Sequence, residues 1–209
     1  MITKFLVRKK KTLISKKIFF ISGVNGVGKS SIIPYLSLLL PTDSYIVCDF
    51  DERGIPAKAD TEWRISETSY WVSRGIDLAK DNKNLVVCGF VKLTDFPAIK
   101  SPEIIKILLD ARPEIIRQRL INRYSQSGIF DKSQKVIGKP IDVFIEGNIY
   151  ILNQMKESFE ELNYPIIDTS KLKPAEVANK IADIILKQPV KKLCKQTINY
   201  FYGTKTIAK

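Results

Sequence analysis

No run of about 18 consecutive apolar residues occurs in this sequence, so no segment is read as crossing a membrane as a helix. The basic start "MITKFLVRKKKTLISKK" lacks the apolar stretch and small-residue cleavage site of a secretory leader, and secretion is not expected. Cysteine is scarce. Cys48, Cys88 and Cys194 are odd in number and widely spaced, which fits neither a disulfide framework nor the spacing of zinc ligands. That scarcity points to a reducing, cytoplasmic setting, with Cys48 and Cys88 read as buried thiols near strand ends. Neither a repeat of roughly 20–50 residues nor a low-complexity tract is present, which excludes a solenoid or propeller.

With 209 residues, 44% of them hydrophobic, the chain suffices for one full α/β core and is too short for two typical domains. Its formal charge of +12 suggests a polyanion partner until it is divided along the chain. Residues 1–17 hold seven basic residues and residues 187–209 hold six, with no acid in either stretch. These thirteen charges exceed the net +12, so residues 18–186 carry −1. A near-neutral core is not a nucleic-acid surface, whereas the basic ends suit weak contact with RNA, DNA or an anionic surface, or serve as solvated tails. The expected organisation is a basic extension over 1–16, a core domain over 17–187 and a basic tail over 188–209.

Short apolar runs alternate with amphipathic ones. Strands are expected at 17–22, 45–49, 85–91, 104–110 and 165–168, without the polar alternation of a one-sided sheet. Helices are expected at about 29–40, 60–81, 113–124, 141–162 and 174–187. Val177, Ile181, Ile184 and Ile185 mark one face of the last, and Pro113 and Pro174 stand where a first-turn proline is tolerated. Five strands with covering helices predict a parallel, doubly wound α/β/α sheet that binds ligands at the carboxyl ends of its strands. The polar stretch "YSQSGIFDKSQKVIGKP" (124–140) interrupts the alternation and is read as a mobile lid.

The strongest chemical signal is "GVNGVGKS", residues 23–30, which satisfies G-x-x-x-x-G-K-[ST] between a strand and a helix. Glycines let backbone N–H groups converge on an anion, and the start of the helix adds partial positive charge. Gly23, Asn25, Gly26, Val27, Gly28, Lys29, Ser30 and Ser31 are therefore expected to hold a nucleotide. Lys29 reaches its terminal phosphates and Ser30 ligates Mg²⁺.

The other strand ends must choose the reaction. "VCDFDER" puts Asp49 and Asp51 two apart on one side of an extended segment. One can hold Mg²⁺ or take a proton from an attacking hydroxyl while the other binds the acceptor. "VVCGF" carries Cys88 where an acid often stands, leaving Asp49 as the metal-side carboxylate, and Gly89 is expected to admit a substrate against the backbone. Arg119 and Arg123, spaced i and i+4, are expected to face the triphosphate, with Arg117 on the solvated side and Asp110 a turn residue. Trp63, Tyr70 and Arg74 form an aromatic side of their helix that reads as core, and Arg53 and Arg64 are weaker candidates for an anionic acceptor.

With "GVNGVGKS", "CDFD", "VVCGF", "RPEIIRQRLINR" and "PIIDTS" in this order, residues 17–187 resemble the P-loop nucleoside and nucleotide kinase group. Shikimate-kinase-like and adenylate-kinase-like members look most similar. The resemblance implies ATP and Mg²⁺ as cofactors, Lys29 and Ser30 on phosphates and metal, and Asp49 as metal-side or base carboxylate. It further implies Asp51 on the acceptor, Arg119 against adenine, Arg123 on phosphate and the segment Asp168 to Ser170, with Asp168 its binding residue, at the adenine pocket. The expected activity is transfer of the γ-phosphoryl group of ATP to a small molecule bearing a hydroxyl or phosphate. The alternative is a polynucleotide 5′-hydroxyl kinase or nucleic-acid-associated ATPase that uses the basic ends. A GTPase-type switch is disfavoured because no N-K-x-D follows a late strand; "DNKN" at 81–84 precedes one instead. A module that binds nucleotide without turnover is disfavoured by the paired carboxylates and the arginines.

Overall fold

Alternating residues of the first strand bury on opposite sides, and this decides how the helices are layered. The computed structural model describes residues 16–57, 59–99, 102–125 and 140–187. The basic ends and all of the expected lid but Tyr124, Ser125 and Pro140 lie outside them. Five strands, β1 (Lys17–Ser22), β2 (Tyr45–Asp49), β3 (Asn84–Gly89), β4 (Glu103–Asp110) and β5 (Ile166–Asp168), form one sheet in the order β2-β3-β1-β4-β5. All pairings are parallel. Between them run α1 (Lys29–Leu39), α2 (Thr61–Lys80), α3 (Pro113–Ser125), α4 (Ile141–Glu161) and α5 (Pro174–Lys187). Among the described residues no helix is long and apolar enough to cross a membrane.

Phe19 and Ile21 of β1 join the core that includes Ile32 and Leu36 of α1 and Val177 and Ile181 of α5. Ile18 and Phe20 point the other way, into a core with Trp71, Val72 and Leu78 of α2. A strand covered on both faces has no solvated side, which accounts for its unbroken apolar sequence. β1 lies between β3 and β4, so the chain after it reaches one edge through β2 and the other through β5. The crevice at the carboxyl end of β1 is the topological switch point of the sheet.

The structure moves several boundaries for identifiable reasons. β3 ends at Gly89 rather than 91, because the Phe50 N–H takes the Cys88 carbonyl at 2.9 Å and the chain turns into a 3₁₀ segment at Leu93–Asp95. β5 begins after Pro165, which has no N–H to give the ladder and instead accepts from Leu108 at 2.9 Å. The inward face of α2 is Arg64, Glu67, Thr68, Trp71, Val72, Gly75 and Leu78, so the expected aromatic core side is displaced by about one residue. Trp71 is buried, whereas Tyr70 and Arg74 are exposed.

Arg64 is one of two charged residues on that inward face, and the 3₁₀ segment neutralises it. Its Nε donates to Asp95 Oδ2 at 2.6 Å and its Nη2 to Asp95 Oδ1 at 3.3 Å. Asp95 also accepts the Lys92 N–H at 2.7 Å, and its side chain is 1% exposed. The pair thus holds α2 to the connection that leads from β3 to β4. Removing one member leaves the other charge buried and alone. Asp95→Ala is expected to lower unfolding stability by about 3–5 kcal/mol, read as a fall in the urea midpoint with little change in slope.

Candidate functional site

Between β1 and α1 the chain makes a loop that only glycine can follow at two points. Gly26 has φ 88° and Gly28 φ 102°, both left-handed. A side chain at Gly26 would also press on Ile116 and Leu120 of α3, with Cβ only 3.3 and 3.2 Å from them, whereas the space beside Gly28 is open. α1 then begins without a capping side chain and without an acid in its first turn. Its first N–H groups and its dipole remain available to an anion.

The opposite sides of the loop's peptide planes are tied down. Arg119 of α3 donates from Nη1 to the Gly26 carbonyl at 3.1 Å and to Thr169 Oγ1 at 3.1 Å, and from Nη2 to the Thr169 carbonyl at 2.9 Å. The Thr169 hydroxyl donates in turn to the Val27 carbonyl at 2.9 Å. On α4, Asn148 Oδ1 accepts from the Asn25 N–H at 3.0 Å and from Asn25 Nδ2 at 3.2 Å. Its own amide is fixed by donation to the Phe144 carbonyl at 2.8 Å.

Lys29, the first residue of α1, folds back so that Nζ donates to the Val24 carbonyl at 2.8 Å. Burial of the ammonium lowers its pKa from the usual lysine value to about 8, with Arg123 adding to the fall and Asp51 and Asp49 opposing it. Those charges act on one point. The fold therefore gathers Lys29, Asp49, Asp51 and Arg123, which are distant in sequence, at the mouth of the loop.

Asp49 and Asp51 do not share a side by strand alternation. The chain turns after β2, with Asp49 Oδ1 accepting the Asp51 N–H at 3.0 Å and the Asp51 carbonyl accepting Gly54 N–H at 2.9 Å. Crowding that strips water from the Asp51 carboxyl, together with the charges of Asp49 and Glu67, holds its pKa above the ordinary aspartate value. The sequence contains no histidine, so carboxylates are the groups here fit to accept a proton near neutral pH.

Beside the loop lies a cavity of about 300 Å³, lined by Gly26, Val27, Gly28, Ser31, Arg119, Arg123, Thr169, Leu172, Pro174 and Val177. Thr169, not Asp168, reaches its wall. Asp168 is exposed and closes a turn on Ser170, accepting its N–H at 2.8 Å and its hydroxyl. Asp110 ends β4 and pairs with Lys156 at 3.0 Å, and Arg117 pairs with Glu146. Two expectations on the acceptor side are corrected. The space beside Gly89 holds Phe50 rather than a substrate, since a Cβ there would lie 2.1 Å from Phe50 Cβ. Arg64 is engaged by Asp95. Arg53, at the exposed rim, pairs with Glu67 at 2.9 Å and lies 3.7 Å over the Tyr70 ring.

The donor set suits a magnesium ion carried mainly by phosphate. Among the described residues no three His, Cys, Asp or Glu side chains converge to hold a metal unaided. Ser30, exposed at the start of α1, and Asp49, at the end of β2, are the groups that would complete its shell. Among the described residues Cys48 and Cys88 add no reactive thiol: burial pushes Cys48 up to about 11 and Cys88 higher still.

Asn148, Thr169, Glu67 and Asp95 were not singled out in the sequence. Asn148 had a signal, as a polar residue in "VFIEGNIYIL" on the same helical face as the buried Ile145, Leu152, Met155 and Phe159. Thr169 belongs to the segment Asp168 to Ser170 expected at the adenine pocket, within which the expected binding residue is the acid rather than the threonine. Glu67 and Asp95 carry no local mark of burial.

The chain is similar to shikimate kinase from Acinetobacter baumannii in complex with shikimate, with a TM-score of 0.54 and 17% identity over 85% of this chain and 96% of that one. It is also similar to a chain of an RNA repair complex, with a TM-score of 0.50 and 20% identity over 72% of this chain. It spans about half of that relative, 48% of its length. No family model matches the sequence, and no curated protein matches it. At these identities the likeness carries the fold alone, and that fold is the α/β fold of the P-loop kinases.

A polyphosphate bound at this loop would restore the ordinary affinity of Lys29 for its proton. Above pH about 8 the free ammonium deprotonates, so binding must take up a proton there. Affinity for inorganic tripolyphosphate is expected to be steady just below pH 8 and to fall, by up to about tenfold per unit, between about pH 8 and 10. Calorimetry in buffers of different ionisation heat checks this, and Lys29→Met should lose both the slope and most of the affinity.

Proposed function

We propose that the protein is an ATP- and Mg²⁺-dependent phosphotransferase that moves a γ-phosphoryl group to a small-molecule acceptor bearing a hydroxyl or phosphate. The observation that carries this reading is the meeting of Lys29, Asp49, Asp51 and Arg123 at an uncapped helix start. The amides from Gly26 to Ser30 receive the phosphates, and Lys29 exchanges the Val24 carbonyl for a phosphate oxygen. Ser30 and Asp49 would hold the metal, which would supply charge neutralisation on the phosphate oxygens. Arg123, which has no ion-pair partner among the described residues, offsets charge on the transferring group. Arg119, Thr169 and Leu172 wall the cavity for the base, and a reducing cytoplasmic location is part of the reading.

The acceptor oxygen forms a bond to the γ-phosphorus as the bond to the bridging oxygen breaks, and ADP leaves with that electron pair. The proton of a hydroxyl acceptor passes to Asp49 or Asp51 and then to water. Positioning and charge neutralisation supply the rate enhancement, as no covalent intermediate is required.

The thirteen basic residues of the two ends motivate a second reading, a polynucleotide 5′-hydroxyl kinase. It ranks below the first because the remainder of the chain is near neutral. Deleting residues 1–15 and 188–209 should then weaken oligonucleotide binding and flatten its dependence on salt; unchanged binding counts against it.

For the first reading, Lys29→Ala and Asp49→Asn are expected to lower transfer by about 10³-fold or more with the circular dichroism spectrum retained. Phosphorylated product, followed by mass spectrometry with ATP and Mg²⁺, is the measurement. A Lys29→Ala protein as active as the parent would overturn it.

A further inference from the structure

Glu67, on the inward face of α2, has no task in the transfer chemistry, yet its state calls for a ligand. Its side chain is 8% exposed, and Oε2 accepts from Arg53 Nη1 at 2.9 Å. Oε1 is buried and receives no hydrogen bond. A buried carboxylate oxygen without a donor is costly, and such an atom persists where something outside the folded chain completes it. Its partner Arg53 lies in the turn closed by the Gly54 N–H on the Asp51 carbonyl at 2.9 Å, and the Asp51 N–H is in turn held by Asp49 Oδ1 at 3.0 Å. The orphaned oxygen therefore belongs to the side of the phosphate loop where an acceptor must arrive.

The charges there have one dominant sign. Asp49, Asp51 and Glu67 are acids, and Lys29 serves the phosphates. Arg53 already donates to Glu67 and lies flat on Tyr70, while Arg64 is held by two bonds to Asp95. Arg53 and Arg64 are thus engaged by the protein itself, Arg123 acts on Lys29 at the phosphate side, and Arg74 is exposed, off the inward face of α2. The unfilled valence on this side is that of a hydrogen-bond acceptor.

We propose that the acceptor subsite takes a donor-rich molecule, a neutral or cationic polyol such as a sugar, amino sugar or amino alcohol, one hydroxyl or ammonium of which completes Glu67 Oε1. Acceptors bearing a carboxylate or phosphate are rejected by Asp51 and Glu67. This inference rests on the transfer reading above and narrows its acceptor. Specificity of this kind is strong because a wrong ligand leaves buried polar atoms unpaired as well as meeting like charge.

The test pools hydroxyl-bearing metabolites by charge and incubates each pool with the full-length protein, ATP and Mg²⁺, scoring phosphorylated products by mass spectrometry. Products confined to the neutral and cationic pools are expected. Products from the anionic pool alone would overturn the acceptor class and leave the transfer reading standing. Absence of product from every pool, with ATP still bound through Lys29, would overturn both. With a member of the productive pool as acceptor, Glu67→Gln should raise the acceptor KM at least tenfold while the KM for ATP stays the same. An unchanged acceptor KM would remove Glu67 from the subsite. Should Glu67→Gln fail to fold, Asp51→Asn is read by discrimination alone: its loss of discrimination against hydroxy acids is expected, and unchanged discrimination would overturn the acceptor class.

Discussion

A loop that offers its backbone N–H groups to an anion must hold its carbonyls elsewhere, because each peptide plane points the two in opposite directions. In this protein the carbonyls of Gly26 and Val27 are held by Arg119 and Thr169, and that of Val24 by Lys29. Asn148 fixes the tip through Asn25. The holders come from α1, α3, α4 and the segment after β5, so the loop's shape is a property of the whole sheet face. Its anchor is β1, central and buried on both sides, whose end cannot shift without moving both neighbouring strands.

The same clamp fixes the electrostatics. An ammonium as buried as that of Lys29 is uncomfortable in the free protein, and the displaced pKa records the cost. Anion binding relieves it, so some of the binding energy is stored in the folded chain beforehand. Asp49 and Asp51 moderate the cost. A more stable protein could be made by removing Lys29's charge, at the expense of the site.

α2 illustrates how similar ion pairs serve different ends. Arg64 and Asp95 are both buried, doubly bonded and far from open space, so the pair fastens a helix to a connection. Arg53 and Glu67 meet at a rim, with the arginine open to solvent and one carboxylate oxygen unsatisfied. The first is complete, and the second is complete only with a ligand. Nothing in residue type distinguishes them; depth and hydrogen-bond count do.

The order of strands and helices and the glycine loop were legible in the sequence, because periodicity and glycine spacing are local properties, whereas Asp49 and Asp51 meet through a turn after β2 and not through the strand alternation expected for them. Strand ends were off by one or two residues where Phe50 and Pro165, partners from elsewhere, decide which ladder bonds close. The inward face of α2 was misplaced, since Trp71 and Tyr70 are adjacent aromatics and only the position of β1 selects between them. Gly89 looked like room for a substrate until Phe50, from the neighbouring strand's end, filled it. By itself, then, the sequence determined the order of the elements and the glycine loop between β1 and α1. Which arginines remain available, which carboxylate oxygen lacks a partner and which side chains brace the loop were decided only in three dimensions, because each depends on contacts between residues far apart in the chain.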